Sequence, residues 1–157
     1  FHPSPLFGAS QTRKVVAADF VYSFDRLKDA ELASPGSWVL QQVERYEATA
    51  EDVFTINLKN PFPAFLGLLT MRYCAVVPNE VANHYGANFR SHPIGTGPFC
   101  FKRWDENVKL VLRKNPNYFE KDENGNKLPY LDAIAIQFIS DIQSEFMLKH
   151  LHKAIDE

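Results

Sequence analysis

Between positions 17 and 29 the apolar residues Phe20, Val21, Phe24 and Leu27 recur at helical spacing, which predicts a helix there. Asp19 falls in its first turn, where a carboxylate suits the positive end of the helix dipole. Ser34-Pro35-Gly36 is turn chemistry and must lie beyond the helix end. Two strand-like runs follow, over 38–48 and 53–58. The second alternates Val53, Thr55 and Asn57 against Phe54, Ile56 and Leu58. The short polar link Thr49-Ala50-Glu51-Asp52 makes the pair an antiparallel hairpin. Asn60-Pro61-Phe62-Pro63 stops the sheet, and Pro63 opens a helix over 64–69 whose apolar composition predicts burial.

A short apolar run over 73–77 predicts a buried strand. Pro78-Asn79 then opens a helix to Tyr85, ended by Gly86. Residues 99–104 and 109–113 are paired strands turned by Asp105-Glu106-Asn107. Asn115-Pro116-Asn117-Tyr118-Phe119 is a turn or a single helical turn, and 121–127 an exposed polar loop. A strand over 131–139, alternating Ile134, Ile136 and Phe138, precedes a final helix over 142–153 with Phe146, Met147 and Leu151 on its apolar side. Residues 1–13, rich in Pro, Gly and Ser, are an irregular lead-in. Hairpins and helices without a regular strand–helix–strand repeat give an α+β class, with a mixed, largely antiparallel sheet and flanking helices. The 157 residues are expected to form a single domain or a large part of a bigger one.

Composition changes this picture in three ways. Apolar residues make up 45% and aromatics 13%, enough to offset ordering entropy and exclude intrinsic disorder. A net charge of -2 argues against a nucleic-acid partner, which would call for a basic stripe. No apolar run approaches the roughly 20 residues of a membrane-spanning helix. The chain opens on Phe1 rather than Met, so it reads as an excised segment.

Candidate chemistry is sparse. Ser, Cys, His and carboxylates are present, but no nucleophile elbow or HExxH motif gathers them, so no catalytic residue is assigned. Gly95-Thr96-Gly97-Pro98 is the one Gly-rich loop. Pro98 lacks an amide and a strand follows, so it suits a tight turn with glycines at unusual backbone angles better than a phosphate cradle. His150 and His152, at i and i+2, point to different helix faces. With His2, His84 and His92 they are taken as solvent-facing, and neither metal nor cofactor is expected. Cys74 and Cys100 fit either one disulfide or two small buried apolar residues. Tyr22, Phe24, Trp38, Phe62, Phe65, Tyr73, Phe99, Phe101 and Trp104 are mostly core candidates. Trp38, just after the Ser-Pro-Gly turn, also suits presentation to a ligand.

Four segments together resemble a known family. Arg13-Lys14-Val15-Val16-Ala17-Ala18-Asp19-Phe20-Val21-Tyr22-Ser23-Phe24-Asp25-Arg26-Leu27 is the first. Leu58-Lys59-Asn60-Pro61-Phe62-Pro63-Ala64-Phe65-Leu66 is the second. The third and most specific is Pro93-Ile94-Gly95-Thr96-Gly97-Pro98-Phe99, then Trp104, then Leu112-Arg113-Lys114-Asn115-Pro116-Asn117-Tyr118-Phe119. The fourth is Leu128-Pro129-Tyr130-Leu131-Asp132-Ala133-Ile134, and the stretch 148–156 adds to it, with Ala154 where Gly is usual. In order and spacing they resemble the family 5 extracellular solute-binding proteins, the oligopeptide- and dipeptide-binding components of ABC importers.

The resemblance implies a subdomain of the first lobe of a two-lobed type II periplasmic-binding-protein fold, with 131–157 returning towards the main lobe. It implies a peptide ligand, membrane permease subunits and the remaining lobes of the same full-length chain as partners, and no enzyme activity. The compartment would be periplasmic or extracytoplasmic, with lipoprotein anchoring in the full-length protein as one form. Metal chelates, haem and sugars are alternative solutes of the same family. Three departures stand out. Val16 replaces a Thr suited to cap the first helix, a loss worth about 1 kcal/mol. Phe119 replaces a Trp. Gly36 stands where a Tyr can reach the ligand, with Trp38 two residues on. Ser34, Gly36 and Trp38 are the candidate ligand-binding residues.

Overall fold

The computed structural model describes residues 1–139 and 141, which fall in two compact units, Phe1–Thr96 and Gly97–Glu157. The helix expected over 142–153 lies outside the described residues.

The first unit is built on α1 (Ala17–Lys28) and an antiparallel hairpin of β1 (Val43–Ala50) and β2 (Val53–Leu58). The helical repeat aims Phe24 and Leu27 at the hairpin. Phe24 meets Tyr46 and Phe54 edge-on at 5.3 and 5.2 Å, and Phe20 stacks on Phe54 at 5.3 Å. Around them close Val39, Leu40, Val43, Phe65 and Cys74, the buried core of this unit. Truncating a ring buried as deeply as Phe24 costs about 3–5 kcal/mol.

Three expectations for this unit are corrected. Residues 38–42 are not strand: Ser37–Leu40 is a short 3-10 helix, which buries the adjacent side chains of Val39 and Leu40 together, as a strand with one covered face does not. Residues 73–77 are not strand either. Arg72–Cys74 is a 3-10 turn, and the extended residues after it bond to a side chain: the amide of Val77 donates to the Ser23 hydroxyl at 3.0 Å. The helix α2 (Phe65–Leu69) forms, but only Phe65 is buried, and Leu66 is 75% exposed. The helix α3 (Asn79–Tyr85) begins after buried Pro78 and ends at Gly86, whose φ of 50° suits a residue without a Cβ.

The lead-in is more ordered than its composition implied. Pro5–Ser10 is a 3-10 helix capped by Ser4, with a break at Gly8. His2 is buried rather than solvent-facing: its amide donates to the Gly95 carbonyl at 2.7 Å, and its Nδ1 accepts the Gly95 amide at 3.3 Å.

The second unit is an antiparallel sheet in the order β3 (Phe99–Asp105), β4 (Lys109–Lys114), β5 (Ala133–Gln137), with a bulge between Phe101 and Arg103. Asn115, buried at the end of β4, explains the Asn-Pro-x-Tyr motif. Its Nδ2 donates to the Gly97 carbonyl at 3.0 Å, its backbone amide to the Pro98 carbonyl at 2.8 Å, and its Oδ1 accepts the Asn117 amide. Gly95 and Gly97 do not carry the unusual angles expected of them, since the positive-φ glycines are Gly8, Gly86 and Gly125. The polar loop closes on Asp122. Its carboxylate accepts from the Tyr130 hydroxyl, the Asn126 side chain and the amides of Asn124 and Asn126, which hold its pKa down at about 2.

Candidate functional site

Two depressions on the first unit contain arginines, and they differ in what surrounds the guanidinium. The first has a volume of about 480 Å³ and is lined by Arg13, Val16, Asp19, Asn79 and Glu80 among others. Arg13 donates to both oxygens of Asp19 at 2.7 and 2.8 Å, to both oxygens of Glu80 at 2.7 Å, and to the Lys14 carbonyl at 3.0 Å. All five guanidinium N–H groups are thus used. The rings of Phe1 and Phe7 lie 5.0 and 5.5 Å from its carbon. These bonds hold the Glu80 carboxyl below its ordinary range and raise Arg13 further. Asp19 also accepts the Val16 amide at 2.9 Å, so half of a capping box survives the loss of a Thr at position 16. This cluster ties the lead-in, α1 and α3 together and leaves no guanidinium N–H of Arg13 for a ligand.

The second depression, about 390 Å³, lies beside the Ser-Pro-Gly turn. Its walls include Arg26 on α1, Ser34, Pro35, Arg72, Tyr73 and Phe89. Among the described residues no Asp or Glu lines it. The Arg26 guanidinium sits 5.7 and 5.8 Å from the Phe89 and Tyr22 rings, and that of Arg72 sits 5.4 Å from the Tyr73 ring. Among the described residues, neither arginine is paired with a carboxylate. Ser23 forms part of the floor, bridging α1 to the chain at Val77 through one hydroxyl.

The sequence-predicted residues occupy different places around this groove. Ser34 lines it, and its hydroxyl accepts the Gly36 amide at 3.3 Å. Gly36 is buried, and a Cβ there would run into the Tyr73 ring, so Tyr73 fills the space a side chain at 36 would need. Trp38 is 42% exposed and outside the groove lining, which overturns core packing for it. Phe62 is also exposed. Sequence reasoning did not assign Arg26, present in the first family-like segment, or Arg72 to a site: they are 46 positions apart, and no local motif joins them. Arg13 was legible only as a member of a shared segment, whereas Asp19 was also legible as the first-turn carboxylate of α1.

Both cysteines are free thiols, Cys74 buried and Cys100 half-buried, and burial raises the pKa of each. Among the described residues no cluster of His, Cys, Asp and Glu could hold a metal, and no helix is long and apolar enough to cross a membrane.

Comparisons place these features among known proteins. The chain is 30% identical over 136 residues to di/tripeptide-binding protein 2 of Pseudomonas aeruginosa, covering 76% of this chain and 25% of that protein. It is 27% identical over 101 residues to the glutathione-binding protein GsiB of Salmonella choleraesuis, covering 64% and 19%. The chain thus spans about a fifth to a quarter of these relatives. Among solved structures, Haemophilus influenzae OppA in complex with RPPGFSPFR superposes with a TM-score of 0.79 at 21% identity, over 92% of this chain and 31% of that one. Helicobacter pylori DppA in complex with the peptide STSA gives 0.74 at 23%, over 92% and 31%. These likenesses show the fold, part of a type II periplasmic binding protein, and agree with the α+β class and antiparallel pairing read from the sequence. The profile of the bacterial extracellular solute-binding proteins, family 5 middle, matches residues 10–156, and the chain belongs to that family.

Proposed function

We propose that this chain is a first-lobe subdomain of the substrate-binding component of an ABC importer that takes up oligopeptides or dipeptides. The observation that carries this reading is the family match over residues 10–156, together with di/tripeptide-binding relatives. In this reading two lobes close on an extended peptide, and contacts made only in the closed form stabilise closure. The protein works outside the cytoplasm, as a periplasmic or lipid-anchored carrier, and hands its ligand to membrane permease subunits. It binds and releases without chemistry. Ser34 and Trp38 present side chains near the ligand, while buried Gly36 offers only main chain.

A second reading keeps the fold and changes the solute: AgaA from A. tumefaciens R10, in complex with agropinic acid, superposes with a TM-score of 0.75 at 24% identity. Native mass spectrometry of the full-length protein, purified without denaturation, separates the two. A distribution of added masses that resolves into short peptides supports the peptide reading. A single discrete non-peptide mass overturns it in favour of the second.

A further inference from the structure

We propose that the groove between Arg26 and Arg72 is a carboxylate subsite, taking the C-terminal carboxylate or an acidic side chain of a bound peptide. This inference rests on the peptide reading and adds the chemistry of one contact. Its support is electrostatic and steric. Two permanent cations line a groove in which, among the described residues, there is no acid and neither cation has a carboxylate partner. Each guanidinium rests near an aromatic ring at 5.4–5.8 Å. Such contacts fix the guanidinium while leaving its N–H edge available, and that edge matches a carboxylate with two parallel hydrogen bonds.

The platform is itself held. The Tyr73 ring beneath Arg72 packs where a Cβ on Gly36 would be, so the glycine at the turn sets the position of the ring. The Ser34 hydroxyl accepts from Gly36 and keeps its own proton to donate into the groove. The volume of about 390 Å³ is near the small end of ligand pockets, roughly 300–1,000 Å³, and suits one or two residues rather than a whole peptide.

The test is calorimetry on the full-length protein with three peptides of one length: a free acid without acidic side chains, its C-terminal amide, and an amide carrying one glutamate. Arg26→Gln and Arg72→Gln are expected to cut the preference for a carboxylate-bearing peptide over the plain amide by about tenfold each. Arg45→Gln removes the same charge from an exposed pair with Glu47 on the hairpin and is expected to leave the preference unchanged. Loss of preference against the free acid assigns the C-terminus, and loss against the glutamate peptide assigns a side chain. Unchanged preferences in both groove variants, or an equal fall in Arg45→Gln, overturn the subsite while leaving the peptide reading intact. Failure of all three peptides to bind the unmodified protein overturns the peptide reading itself.

Discussion

Arg13 and the pair Arg26 and Arg72 are the same residue type on one unit, and their neighbours give them opposite roles. Arg13 is held by two carboxylates and a carbonyl, with every N–H occupied. Arg26 and Arg72 rest near aromatic faces in a groove without acids. The first arrangement is a joint between segments. The second leaves charge unspent at the surface. Side-chain identity says little here, and the count of acceptors around each guanidinium says nearly everything.

The sharpest way to break this comparison is Arg13→Ala. Asp19 is only 4% exposed, and removing its cation leaves a buried carboxylate with the Val16 amide in place of three donors. We expect a loss of about 3 kcal/mol in urea unfolding, the lower end for breaking a buried pair, because Arg13 is itself partly exposed. A loss no larger than that of an ordinary surface substitution would show that the cluster is not a joint.

Ser23→Ala tests the floor of the groove. The hydroxyl donates to the Asp19 carbonyl at 2.7 Å and accepts the Val77 amide at 3.0 Å. Without it the Val77 amide loses its acceptor, at a cost of about 1–2 kcal/mol by the same unfolding measurement. If the groove floor is structural, exchange of the Val77 amide with solvent also accelerates.

What the sequence made legible follows the same division between local and long-range causes. Residues 17–28 and 53–58 were readable because a periodic apolar face and a strict alternation each need only one neighbour surface. Residues 38–42 and 73–77 were not. Short apolar runs suit a strand, a turn or a buried coil alike. The choice at Val77 was made by Ser23, 54 positions away. The apolar composition of Ala64 to Leu69 predicts burial, yet Leu66 stands in solvent. The candidate site was legible at the Ser34-Pro35-Gly36 turn. Its cations were not, because their meeting depends on how α1 and the turn at Arg72 pack.

Glu80→Gln sharpens the comparison by pH. Arg13 lowers the Glu80 carboxyl below its ordinary 4.5 in the folded chain. A depressed carboxyl contributes stability that is present in full above the unfolded value and is lost as pH falls through the folded one. The native chain should therefore lose stability on acidification below about pH 4.5 more steeply than Glu80→Gln does. Glu80 is partly exposed, so the difference near neutral pH is small, roughly 0.5 kcal/mol. Parallel acid profiles for the two proteins would mean that Glu80 spectates and that Asp19 alone anchors Arg13.

The smallest expected effect bears most on function. Arg26→Gln and Arg72→Gln should each change unfolding free energy by less than about 0.5 kcal/mol, since no ion pair is broken and the aromatic contacts are at the surface. The same substitutions are expected to lower carboxylate preference in the full-length protein. Stability and ligand preference thus separate the two kinds of arginine in opposite directions. A joint fails in unfolding, whereas a binding group fails in recognition. If Arg26→Gln cost as much stability as Arg13→Ala, its contacts with Phe89 and Tyr22 would be a second joint, and the groove would have lost the free charge on which carboxylate recognition depends.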